Sequence, residues 1–94
     1  MAHLLIRHKV KDYSTWKAAF DSFIETRRAG GEQSWQILHP DDDPNNLVVL
    51  FEWDSLDNAR SFMANPELKK AMGEGGVIEQ PEAYFLEEYD RGTV

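Results

Sequence analysis

Apolar residues recur at every second position in four short stretches of the chain, and at spacings of three and four in the stretches between them. The segment HLLIRHKV (residues 3–10) puts Leu4, Ile6, His8 and Val10 on one face and His3, Leu5, Arg7 and Lys9 on the other, the period of a strand. DYSTWKAAFDSFIETRRAGG follows. Trp16, Ala19, Phe20, Phe23 and Ile24 form one apolar stripe, so the spacing predicts a single helix. Asp12 or Ser14 caps its start, Arg27 and Arg28 suit its negative end, and Gly30–Gly31 stops it. EQSWQILH (32–39) reads as a second strand, PDDDPNN as a turn and LVVLFEWD (47–54) as a third strand. Asp54 or Ser55 then caps a helix with the stripe Leu56, Ala59, Phe62 and Met63. Asn65-Pro66 opens a shorter one carrying Leu68, Ala71 and Met72, and GEGG ends it. AYFLEEY (83–89) is the last strand, and the tail DRGTV is expected to be loose.

The predicted order is β-α-β-β-α-β. Two right-handed crossovers of that kind give an α+β fold, the ferredoxin-like plait, with a four-stranded antiparallel sheet and its helices on one face. Residues 1–94 leave room for one domain and no second core.

The third strand breaks the usual rule for such a sheet. An antiparallel sheet with one wet face alternates apolar and polar residues. Here Leu47, Val49, Phe51 and Trp53 fill one side, and Val48 and Leu50 precede Glu52 on the other. The fourth strand repeats this, with Tyr84 and Leu86 set against Phe85 and Tyr89. Helices cover one face only. A patch of that size in water points to a second copy of the chain, two sheets packed face to face.

Composition narrows the function. A net charge of −7 argues against nucleic acid and against an anionic membrane surface. The chain has no cysteine, which excludes disulfides, thiol catalysis, thiolate zinc sites and iron–sulfur clusters. The N-terminal stretch reads as neither a signal peptide nor a membrane span, so a cytoplasmic location is expected.

Few motifs suggest a bound ion or phosphate. Asp41, Asp43, Asn45 and Glu52 match positions 1, 3, 5 and 12 of a calcium loop. Asn46 stands where that loop needs glycine, and Pro44 stiffens it. An extended strand would carry Glu52 roughly 20 Å from the aspartates. His3, His8 and His39 show no metal-ligand spacing, so no metal is expected. GEGG follows a helix, so it cradles no phosphate, and no nucleophile elbow is present.

Three segments carry a family resemblance: HKVKDYSTWKAAFD (8–21), VVLFEWDSLDNARSFMANPELKKAM (48–72) and GVIEQPEAYFLEE (76–88). Together they cover a little over half the chain. They resemble the dimeric α/β-barrel superfamily, and within it the antibiotic-biosynthesis-monooxygenase-like proteins. The resemblance implies a homodimer through the sheet faces and a ligand pocket between sheet and helices. It further implies cofactor-free oxidation of electron-rich aromatic or polyketide-like molecules by dioxygen. The chain departs from the pattern at Phe62, where such members often carry a histidine. It also lacks the strand-one asparagine of haem-degrading members, which argues against haem chemistry.

His8 is the first candidate for chemistry. If its strand face looks at the helices, it can serve as a general base or hydrogen-bond a substrate hydroxyl. Otherwise it is a satisfied histidine at a strand end or in the dimer interface. Trp16, Trp35, Trp53 and Tyr84, with Phe20, Phe62 and Met72, are the candidate pocket wall for a flat aromatic ligand. For any single one of the first four, plain core is the more expected role. Two functions are therefore expected: a cofactor-free monooxygenase-like protein, or a non-catalytic small-ligand-binding or interaction module of the same fold.

Overall fold

A computed structural model describes residues 2–94. The elements run β1 (Ala2–Lys9), α1 (Tyr13–Ser22), α2 (Ile24–Gly30), β2 (Glu32–Leu38), β3 (Asn46–Trp53), α3 (Leu56–Met63), α4 (Pro66–Glu74) and β4 (Glu82–Glu87). The four strands form one antiparallel sheet in the order β2-β3-β1-β4, the ferredoxin-like arrangement. Val10, expected as the last strand residue, instead makes an isolated bridge to Val77. Lys11 N donates to Gly76 O at 3.0 Å and Ile78 N to Lys9 O at 3.0 Å, which ties the chain after α4 to the end of β1.

Register settles which residues share a face. His8 lies opposite Leu47, Ile6 opposite Val49, and Leu4 opposite Phe51. All six are buried under the helices. Their neighbours Leu5, Val48 and Leu50 look the other way and stay partly exposed. Leu38, Tyr84 and Leu86 extend that second face at 46%, 50% and 37% exposure. The two-faced character read from β3 is thus present in the folded chain, and among the described residues no helix covers the outer side.

The helix starts follow their caps. Asp12 Oδ2 accepts from Thr15 N at 2.9 Å, Ser55 Oγ from Asn58 N at 3.1 Å, and Asn65 Oδ1 from Glu67 N at 2.9 Å. Gly31 ends α2 at φ 119°, where a Cβ would run into the Asp54 carboxylate.

One expectation fails. Residues 12–30 do not form a single helix; the chain breaks at Phe23, with φ −92° and ψ 6°. In a continuous helix the Phe20 carbonyl would accept from Ile24 N–H. It accepts instead from Phe23 N at 3.3 Å and from the Arg27 Nη1 at 2.8 Å. The Ser22 hydroxyl donates to Ala19 O at 2.8 Å and competes for the next carbonyl back. Side-chain hydrogen bonds thus divert two helical acceptors and turn one predicted helix into two.

Candidate functional site

The stripe of α1 and the inner face of β1 and β3 bound a small cavity of about 50 Å³. His8 from β1, Trp16 and Phe20 from α1, Phe62 from α3, and Leu68 and Met72 from α4 are among its walls. Inner-face alternation on β1 brings His8 in, and the four-residue spacing on α1 sets Trp16 and Phe20 one above the other. These two rings stack at 4.8 Å with planes 24° apart. The His8 ring lies 5.6 Å from Trp16, tilted 59°.

The wall is almost wholly apolar, so its few polar atoms stand out. His8 is 5% exposed and neither ring nitrogen has a protein hydrogen-bond partner. Burial alone lowers its pKa from 6.5 to about 4, because the imidazolium is the form that loses its water. His8 is therefore neutral near pH 7, with a free lone pair in an apolar space.

Arg27 also lines the cavity, and sequence reasoning missed it there. The chain pattern placed Arg27 and Arg28 at the negative end of the helix, and both stand in the last turn of α2; it gave no sign that Arg27 turns inward. Its side chain is 2% exposed and paired with Glu32, Nε to Oε1 at 3.1 Å. Its guanidinium carbon stands 3.6 Å from the centre of the Phe20 ring and 5.2 Å from that of Trp35. Burial pushes the Glu32 carboxyl up to about 7, against the opposing pull of Arg27. A signal existed: positions 16, 20, 23 and 27 repeat at spacings of four, three and four, so Arg27 continues the buried stripe.

His8, Trp16, Phe20, Phe62 and Met72 all line this cavity. Trp35, Trp53 and Tyr84 do not join them. Trp35 sits on the edge strand β2 opposite Phe51, 41% exposed, with its ring 5.7 Å from Phe20, and does not line the cavity. Trp53 is fully buried, packed on Phe62 at 5.0 Å, and serves as core. Tyr84 lies opposite Leu5 on the uncovered sheet face, where its hydroxyl donates to Glu82 Oε2 at 3.0 Å. Register excludes it from the helix side: its neighbours Ala83 and Phe85 hold the inner positions.

The acidic turn is closed by its own hydrogen bonds. Asp43 N donates to Pro40 O at 3.1 Å and Asn45 N to Asp43 Oδ1 at 3.2 Å. Glu52 lies opposite His3, one residue from the far end of β3. Among the described residues no three His, Asp or Glu side chains are placed to hold a metal ion, and no helix is long and apolar enough to cross a membrane.

No protein-family model matches the chain, and no curated protein is similar to it in sequence. Solved structures are similar in fold. SnoaB, a cofactor-independent oxygenase from Streptomyces nogalater, superposes with a TM-score of 0.76 at 15% identity, over 96% of this chain and 94% of that one. Rv0793 from Mycobacterium tuberculosis gives 0.70 at 16% identity, over 98% of each chain. A further antibiotic biosynthesis monooxygenase gives 0.70 at 10% identity, over 96% of this chain and all of that one. The chain thus has the α+β, ferredoxin-like fold of the antibiotic biosynthesis monooxygenases. At such identities the shared feature is the fold, and function has to be argued from the site.

Proposed function

We propose that the chain binds a small phenolic or polyketide-like aromatic in the cavity between sheet and helices and oxidises it with dioxygen, without a cofactor. The observation that carries this reading is His8: buried, neutral, and unpaired at both nitrogens in an apolar cavity. A buried polar group without a partner is costly to keep, and a ligand hydroxyl would satisfy it. The fold shared with a cofactor-independent oxygenase supports the same reading.

In this scheme His8 takes the phenolic proton. The anion that forms beside it offsets the effect of burial and raises the basicity of the ring. The electron-rich ring carbon then adds dioxygen, which is reduced at the expense of the substrate. The proton held on His8 goes to the resulting peroxide. Loss of water leaves one oxygen atom on the ring as a quinone carbonyl, so no external reductant is needed. Water exclusion by Trp16, Phe20 and Phe62 keeps the anion from being reprotonated by solvent.

Residues 1–94 would act as one dimeric α/β-barrel domain, pairing through the outer sheet face around Leu5, Val48, Leu50 and Tyr84. The exposed apolar area there supports that reading. Oxygen uptake with a small anthrone or naphthoquinol as substrate is the test. Wild type should consume oxygen above the uncatalysed rate, and His8→Ala should lose that excess. Equal uptake by both proteins would remove His8 from the chemistry.

A second reading rests on the size of the cavity. About 50 Å³ is a third of the roughly 150 Å³ that accepts benzene in an engineered core. A wall of Trp16, Phe20, Phe62 and Met72 packed this tightly favours a non-catalytic ligand-binding or interaction module. Thermal shifts with quinols, flavins and haem but no oxygen uptake would select it.

A further inference from the structure

The guanidinium of Arg27 has three nitrogens, and one of them donates a hydrogen bond within the fold. Nη1 donates to the Phe20 carbonyl at 2.8 Å and holds the break between α1 and α2. Nε stands 3.1 Å from Glu32 Oε1, an ion pair without hydrogen-bond geometry. Nη2 is buried and has no protein partner. The Arg27 side chain is 2% exposed and lines the same cavity as His8. Contacts run from one to the other through the stacked rings: His8 on Trp16, Trp16 on Phe20, and Phe20 under Arg27. A flat ligand lying along that row would have a neutral imidazole near one end and a fixed cation near the other.

We infer that the cavity selects aromatic ligands carrying an anionic oxygen, a carboxylate or an ionised enol, which Arg27 Nη2 binds while the ring lies along Trp16 and Phe20. This deepens the ligand reading above and rests on it. The charge balance makes the inference specific. The chain carries a net −7, so its overall field repels anions, and His8 contributes no positive charge. Among the cavity walls Arg27 is the one cationic side chain. A planar guanidinium suits a carboxylate or a chelated enolate, and its hydrogen bonds to a charged acceptor are about twice as strong as neutral ones.

Salicylate and salicylamide test it. They share a ring and an ortho hydroxyl and differ in charge. Each is titrated calorimetrically into the full chain, with the ¹³C-labelled Met72 methyl reporting entry into the cavity. Wild type should bind salicylate at least about tenfold more tightly, the worth of one charge-assisted bond. Arg27→Gln should bring the ratio close to one. Glu32→Gln, which removes the competing carboxylate, should widen the ratio severalfold. That gain cannot come from damage to the fold, so it decides the matter even if Arg27→Gln fails to fold. A wild-type ratio near one, a ratio that survives Arg27→Gln, or one that does not widen in Glu32→Gln overturns the inference and leaves aromatic binding standing. If neither compound moves the Met72 signal, both this inference and the ligand reading fall.

Discussion

The imidazole of His8 meets the indole of Trp16 at 5.6 Å, and this contact shields a titratable ring from water on the helix side of the sheet. Burial lowers the His8 pKa from 6.5 to about 4. The unfolded chain therefore binds a proton at a pH where the folded chain does not. Stability from this group is complete above pH 6.5 and is lost as pH falls from there toward 4. Each pH unit of that window is worth about 1.4 kcal/mol, so the loss should come to about 2 kcal/mol between pH 7 and 4.5. His8→Phe lacks the effect. Urea unfolding at the two pH values should show the variant gaining about 2 kcal/mol on wild type at the lower one. A constant difference would mean that the ring is protonated, or solvated, in the folded protein.

The outer face of the sheet yields a prediction about assembly. Leu50 lies between Leu5 of β1 and Gln36 of β2, on the side that no helix covers. Leu50→Lys should convert a face-to-face dimer into a monomer in sedimentation velocity at micromolar concentration. A charge at the centre of a buried apolar interface is left unpaired there. Within one chain the position is partly open to water, so the far-UV spectrum should be unchanged. A wild-type protein that sediments as a monomer would overturn the dimer.

Arg27 and Glu32 form a buried pair at 2% and 5% side-chain exposure. Removing one partner leaves the other charge buried and alone. Arg27→Met should therefore cost about 3 kcal/mol, and Arg27→Met with Glu32→Leu should recover much of it. A double-mutant cycle in urea measures the coupling. Glu32 also has a pH signature opposite in sign to that of His8. Its carboxyl is pushed up from 4.5 to about 7, so the folded chain holds the proton longer. This contribution is present below pH 4.5 and is lost as pH rises through 7. Glu32→Gln should thus remove a decline in stability between pH 5 and 8. An unchanged profile would show that Arg27 keeps the carboxylate ionised throughout.

Period and capping made the elements legible, but they carry no sign for which face looks inward. On β1 the set Leu4, Ile6, His8, Val10 and the set His3, Leu5, Arg7, Lys9 could each have faced the helices. Pairing with the wholly apolar inner set of β3 decides it, and that is a tertiary fact. Trp35, Trp53 and Tyr84 were plausible pocket residues because aromatics look alike in a pattern. Their different fates depend on edge position, depth and register. The break at Phe23 had no glycine or proline to announce it, since it rests on Arg27 reaching back seven residues to a carbonyl. Arg27 does stand in the last turn of α2, but a charge that suits a helix end gives no sign that its side chain is also buried. Only its spacing from Phe23 and Phe20 hinted that the buried stripe continued.

Met72 is the cavity-wall side chain best suited to give way. It stands on α4 opposite the α1 wall, half-buried, and its thioether is unbranched and free to repack. At about 50 Å³ the cavity is too small for a single aromatic ring without such a movement. Met72→Ala should cost about 2 kcal/mol, the low end for truncating a core methionine, because the site is only partly buried. It should also tighten binding of a one-ring probe, since the space is then already made and no side chain has to be displaced. Measuring both in one protein separates two views of the cavity. Weaker stability with tighter binding means that the cavity is a ligand site closed by a movable side chain. Weaker stability with no binding by either protein means that the space is a packing void, and the chain works through its surfaces.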